Sequence, residues 1–83
     1  MHQIKLLSSA QKDLDSFPLK LFNRIRSEII KLSTNAHPHG SLKLTAEEGY
    51  RLRVGDYRIL YRINANEKII YIYRIKHRKE VYR

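Results

Sequence analysis

The chain predicts an α+β fold: a small twisted antiparallel sheet in the order β-α-α-β-β-β, with an N-terminal helical hairpin packed on one face. Three observations carry this. Apolar residues recur at helical spacing between Ala10 and Leu32 and switch to a period of two from Tyr50 onward. Turn-forming residues separate these segments at Phe17-Pro18, 33–40, Gly55-Asp56 and 64–67. The 83 residues allow one domain, 1–83, with one modest core.

Each element follows from its residues. Residues 2–7 form a short extended run with Ile4 and Leu6 facing inward. Ser8 or Ser9 then offers a hydroxyl oxygen to cap a helix. Ala10, Leu14 and Phe17 share one face of that helix, with Gln11, Lys12, Asp13 and Asp15 outside. Pro18 disfavours helical geometry at Phe17 and suits the first turn of a second helix. There Phe22, Ile25, Ile29 and Leu32 make a stripe, widened by Leu21 and Ile30. The stretch STNAHPHG ends it, and 41–48 reads as a loop or short irregular strand anchored by Leu42 and Leu44.

The C-terminal part then alternates. Tyr50, Leu52 and Val54 interleave with Arg51 and Arg53; Gly55-Asp56 is a two-residue hairpin signal. Beyond it Tyr57, Ile59, Tyr61 and Ile63 interleave with Arg58, Leu60 and Arg62. Residues 68–76 make the last strand, apolar on both faces as a central strand should be. Leu52, Val54, Ile59, Tyr61 and Ile63 are therefore expected against the helices. Arg51, Arg53, Arg58 and Arg62 share the opposite face, where they repel one another unless an anion lies among them.

Charge follows the same division. Residues 50–83 hold ten Lys+Arg against three acids, which is seven of the formal net charge of +9. The apolar share, 42%, is that of a folded domain, so the basicity decorates a fold and does not signal disorder. An isoelectric point near 10 points to a polyanion, an acidic protein partner, or both. The absence of cysteine excludes disulfides and thiolate metal sites and fits a reducing cytoplasm. No apolar run approaches the roughly 20 residues that cross a bilayer, so no membrane role is expected. The start MHQIKLLSSA lacks the apolar stretch of a signal peptide.

These residues suit one chemistry. Arginine offers phosphate a planar fork of donors and stays charged at any relevant pH. Tyrosines beside it, Tyr50 among them, can stack on unpaired bases. Lys76, His77, Arg78 and Tyr82 add titratable and hydroxyl groups. Such a set suffices for RNA cleavage without a metal or other cofactor. The 2′-hydroxyl must lose a proton as it attacks phosphorus, the phosphoryl charge must be held, and the leaving 5′-oxygen must gain a proton. Plainer readings stand beside this one. Alternating arginines often make only a solvated face, Tyr61 and Tyr71 suit the core, and a histidine in a basic tail is ordinary. His37-Pro38-His39 has the look of a metal pair but lacks an accompanying carboxylate or thiolate. Glu47 and Glu48 read as loop solvation more simply than as a base.

The run LRVGDYRILYRI followed by IYIYRIKHRKEVYR resembles the RelE/ParE superfamily of toxin–antitoxin toxins, on its RelE side. The preceding strand, helix, helix order also matches that family's fold. The resemblance implies a RelE-like mRNA interferase: a ribosome-dependent, metal-independent endoribonuclease that cuts the message in the ribosomal A site. It implies as partners the 70S ribosome, mRNA and a cognate RelB-like antitoxin with an acidic, amphipathic segment, together forming a hetero-oligomer on operator DNA.

Residue by residue, Arg58 matches the family's phosphate-stabilising arginine. Arg51 and Arg53 match a basic pair that is lysine in many members; arginine serves poorly as a base. Arg78, or Lys76 in its place, matches the cation near the leaving group. Tyr82 matches the tyrosine that orients the 2′-hydroxyl, and His77 stands where some members have a proton-shuttling histidine. Arg51, Arg53, Arg62, Lys76 and Tyr50 complete the expected RNA-binding set. ParE-like relatives share this fold but poison DNA gyrase, and a degenerate member would only bind antitoxin or RNA.

Overall fold

The computed structural model describes residues 1–45 and 49–77. β1 (Gln3–Leu6) leads into α1 (Ser8–Asp15), and a break at residues 16–18 precedes α2 (Leu19–Lys31). β2 (Ser41–Lys43), β3 (Tyr50–Val54), β4 (Tyr57–Asn64) and β5 (Ile69–His77) follow. The strands form one sheet in the order β1-β5-β4-β3-β2. The α+β class, the two helices and the three C-terminal strands agree with the sequence reading.

The sheet itself differs in two respects. β1 runs parallel to β5, so the sheet is mixed and not wholly antiparallel. β5 is apolar on both faces and needs a hydrogen-bonding neighbour on each edge. β4 fills one edge and β1 the other, a long-range choice that no local residue pattern encodes. In addition, Ser41–Lys43 pairs antiparallel with β3, making five strands. A bond from the Leu44 N–H to the Gly49 carbonyl, 2.9 Å, extends that pairing.

Neither Ser8 nor Ser9 caps α1; the cap position falls at Leu7 and carries no side-chain hydrogen bond. The polar side chains of α1 serve the sheet instead. β1 ends opposite Ile72. Beyond that point the Ser9 hydroxyl donates to the Tyr73 carbonyl at 2.7 Å. The Asp13 carboxylate accepts from the Ile75 N–H at 2.9 Å and from Arg74 Nε at 2.8 Å. Helix α1 thus satisfies the part of the β5 edge that β1 is too short to reach. Pro18 stands one residue ahead of α2, at its cap position, and its carbonyl accepts the Phe22 N–H at 2.9 Å.

The core lies between the helices and one face of the sheet. Ala10, Leu14, Ile25, Ile29 and Leu32 meet Leu52, Val54, Ile59, Tyr61, Ile70, Ile72 and Ile75, with Ile63 packed at the margin. A bulge in β5 decides what reaches each face. Leu60 pairs with Arg74 but Tyr61 pairs with Ile72, so Tyr73 is an extra residue on β5. Strict alternation from Ile70 and Ile72 would turn Ile75 away from the core. The bulge brings it in, 3% exposed. By the same shift Lys76 pairs with Arg58, and His77 with Tyr57.

Candidate anion site on the open sheet face

Pairing registers gather the basic residues expected from the sequence. Arg53 lies directly across from Arg58, and Arg58 across from Lys76, giving a row of three cations over β3, β4 and β5. Arg51, two residues before Arg53, lies on the same face one row away, between Leu42 and Leu60. Arg58 is the most deeply placed, 2% exposed, with Nη1 donating to the Tyr57 carbonyl at 3.2 Å. A guanidinium cannot shed its charge at ordinary pH, so burial holds a fixed cation in a medium where its attraction for an anion is strengthened.

Arg51, Arg53 and Arg58 line one pocket of about 280 Å³ with His39, Gly40, Ser41 and Leu42. The volume is close to the lower bound, about 300 Å³, of small-molecule sites. Residues from the 37–42 stretch form its rim, and that stretch is firmly held. The Ser41 N–H donates to the Pro38 carbonyl at 3.0 Å, closing a four-residue turn. Gly40 takes φ 93° within it, as the third position of such a turn favours. The Gly40 carbonyl in turn accepts the Arg53 N–H at 3.4 Å. Beneath, the Tyr61 hydroxyl donates to the Ala36 carbonyl at 2.8 Å. Burial pushes the Tyr61 phenol up from its ordinary value; the Ser41 side chain lowers it and Tyr50 raises it further.

Other expected residues fall elsewhere. Tyr50 faces the helices because it alternates with Arg51. Its ring stacks on Tyr61 at 5.7 Å and meets His37 edge-on at 4.9 Å, so it belongs to the layer beneath the arginines and not to their surface. His77 lies beside Tyr57, ring centroids 5.3 Å apart, while its neighbour Lys76 joins the cationic row. Arg62 is on the arginine face but farther along β4, its guanidinium carbon 4.9 Å from the Tyr73 ring centre. It lines a separate depression of about 520 Å³ with Leu7, Ile63, Asn64, Ala65 and Tyr71. Arg74, across from Leu60, is taken by Asp13. Arg78 and Tyr82, like Glu47 and Glu48, lie outside the described residues.

The sequence reading did not place His39 at this pocket, nor its neighbours Gly40, Ser41 and Leu42. The signal was present in Pro38-His39-Gly40, a turn sequence just before a strand. His37 and His39 do not act as a pair: His37 packs on Tyr50, and His39 lines the arginine pocket. Among the described residues no cluster of three or more metal-ligating side chains forms. No described helix is long and apolar enough to cross a membrane.

Known structures share this architecture. A chain of the RelBE2 toxin–antitoxin complex from Mycobacterium tuberculosis is 25% identical, with a TM-score of 0.81 over 92% of this chain and 96% of its own. A chain of the RelE–RelB complex from Pyrococcus horikoshii is 29% identical, with a TM-score of 0.79 over 93% and 94%. The intact E. coli RelBE complex matches in fold at 10% identity, TM-score 0.80, over 93% and 96%. No curated protein matches the chain in sequence. The family described as the ParE toxin of the type II toxin–antitoxin system parDE matches residues 4–82, and by that match the chain belongs to the RelE/ParE superfamily and is a type II toxin.

Proposed function

We propose that this toxin is a ribosome-dependent endoribonuclease, an mRNA interferase that cuts the message in the ribosomal A site without a metal and so halts translation and growth. One observation carries the reading: Arg51, Arg53 and Arg58 line a single pocket on the open face, with Lys76 next in the row. Fixed cations around a phosphodiester hold the charge that develops on its oxygens as the 2′-hydroxyl attacks. Arg58 does this from the interior, while Arg51 and Arg53 grip the flanking phosphates. Arg78 serves the leaving 5′-oxygen and Tyr82 orients the 2′-hydroxyl. Arg62, beside Tyr73, extends the track along the strand. The site of action is the cytoplasm.

The partner of the resting protein is an antitoxin. Its acidic, amphipathic segment covers the cationic row, as suits a surface where charge speeds encounter and apolar anchors supply affinity. Complexes with RelB antitoxins among the structural relatives support an antitoxin as the partner.

The test is primer extension on a defined message programmed into ribosomes. Cleavage inside the A-site codon is expected, absent without ribosomes. Arg58→Ala should slow it by about 100- to 1,000-fold, the range for removing one donor to a developing oxyanion. Equal rates for the variant and the parent would sink the assignment of Arg58. The family's ParE description favours a second reading, gyrase poisoning. In that case induction gives a DNA-damage response while the message stays intact.

A further inference from the structure

We propose that His39 is the general base of the reaction. The assignment rests on the endoribonuclease reading above and names the group it otherwise lacks. Cleavage by the message's own 2′-hydroxyl needs an acceptor for that proton. Among the described residues the cationic side chains lining the pocket are Arg51, Arg53 and Arg58, and guanidiniums keep their protons. Lys76 stands next along the row but is not among the residues that line the pocket. His77, the histidine the sequence favours, lies beside Tyr57, on the helix side of the strand from Lys76. His39 is thus the described side chain at this pocket of the type that most often acts as a general base.

Its placement is built and not incidental. Proline, histidine and glycine form the turn closed by Ser41, and Gly40 ties that turn to the Arg53 backbone. His37 and the Ala36 carbonyl are held from below by Tyr50 and Tyr61. A turn held in this way carries the His39 imidazole at the same pocket as the cations that seat the phosphate, as the demand that base and reacting atom be brought together requires.

In the proposed step the 2′-oxygen bonds to phosphorus and its proton passes to a ring nitrogen of neutral His39. The bond from phosphorus to the 5′-oxygen breaks, and that oxygen takes a proton from water. A 2′,3′-cyclic phosphate and a 5′-hydroxyl result. His39 later returns its proton to solvent. Among the described residues, the charged groups that share the pocket with it are Arg51 and Arg53 from β3 and Arg58 from β4, with Lys76 from β5 next in the row.

The experiment is single-turnover cleavage of ribosome-bound message between pH 5.5 and 8.5, with toxin freed from its antitoxin. Parent, His39→Gln and His39→Ala are compared, with circular dichroism confirming folding and cosedimentation measuring ribosome binding. The parent rate should climb with pH through the imidazole range. His39→Gln should lose about 100-fold or more near pH 7.5, the usual worth of a positioned base, and lose that limb while still binding ribosomes. Added imidazole should restore part of the His39→Ala rate. A His39→Gln rate within threefold of the parent with the same profile would overturn the proposal. So would a parent rate that falls with pH through a limb that His39→Gln removes, since His39 would then be the acid. A parent protein that leaves the message uncut would instead sink the nuclease reading itself.

Discussion

Tyr61 does two things at one atom. Its ring is fully buried in the core, and its hydroxyl holds the Ala36 carbonyl beneath the loop that carries His39. Tyr61→Phe keeps the ring and leaves that carbonyl unpaired, which should cost about 1–3 kcal/mol in chemical denaturation. The substitution should also change the alkaline limb of stability. Burial raises the phenol above its unfolded value, near 10, because the charged form is the one penalised. The stability tied to the neutral phenol is therefore complete below the unfolded value and is lost as pH rises through the folded one. Denaturation from pH 8 to 11 should show a steeper fall for the parent than for Tyr61→Phe, and parallel curves would refute the linkage. Gly49 constrains the neighbouring strand in another way. It sits at φ 123°, and a Cβ there would lie 2.7 Å from the Tyr61 backbone oxygen. Gly49→Ala must shift β3 away from β4, so melting should drop sharply even though alanine adds one methyl group.

The edge of β5 depends on helix α1 as much as on β1. Asp13 accepts from the Ile75 N–H and from Arg74, and it is about one-fifth exposed. Asp13→Ala removes the acceptor that both donors share and should destabilise by about 1–3 kcal/mol; Asp13→Asn, which keeps an acceptor, should recover part of that in the same melts. Hydrogen exchange at Ile75 should quicken more in the alanine variant, and equal protection in all three proteins would remove this role for α1. That edge also marks where the sequence stopped being legible. Helix stripes, the Gly55-Asp56 hairpin and the helix-facing set from Leu52 to Ile63 were readable because each is a local period. The parallel partner of β5 was not, since Gln3 meets Ile69 across nearly the whole chain. Nor was the bulge at Tyr73, which exchanges the faces of Lys76 and His77. Alternation alone would have sent the histidine to the arginines and the lysine to the helices. The site was legible to the same degree: Arg51, Arg53 and Arg58 by alternation, but His39 only through a turn whose fold onto β3 is tertiary.

Helices cover one face of the sheet, so the alternating Arg51, Arg53, Arg58 and Arg62, with Lys76, share the other. Of the net +9, seven units belong to residues 50–83. Arg53, Arg58 and Lys76 stand in one cross-strand row, an arrangement whose mutual repulsion is relieved by a polyanion but not by dilute salt alone. Binding to RNA should then be strongly salt-dependent, since each phosphate neutralised releases condensed counterions. The distribution of charge, not its total, decides which residues contribute. Arg53 is exposed on the row, whereas Lys20 is exposed on α2. Arg53→Ala should lower the magnitude of the slope of log K against log salt by about 0.7, the value for one contact to a single strand. Lys20→Ala removes the same unit of charge and should leave the slope unchanged. Both can be measured by titrating a short single-stranded RNA at several salt concentrations. Equal effects of the two substitutions would mean that the RNA responds to net charge alone, and the cationic row would lose its claim to be the binding surface.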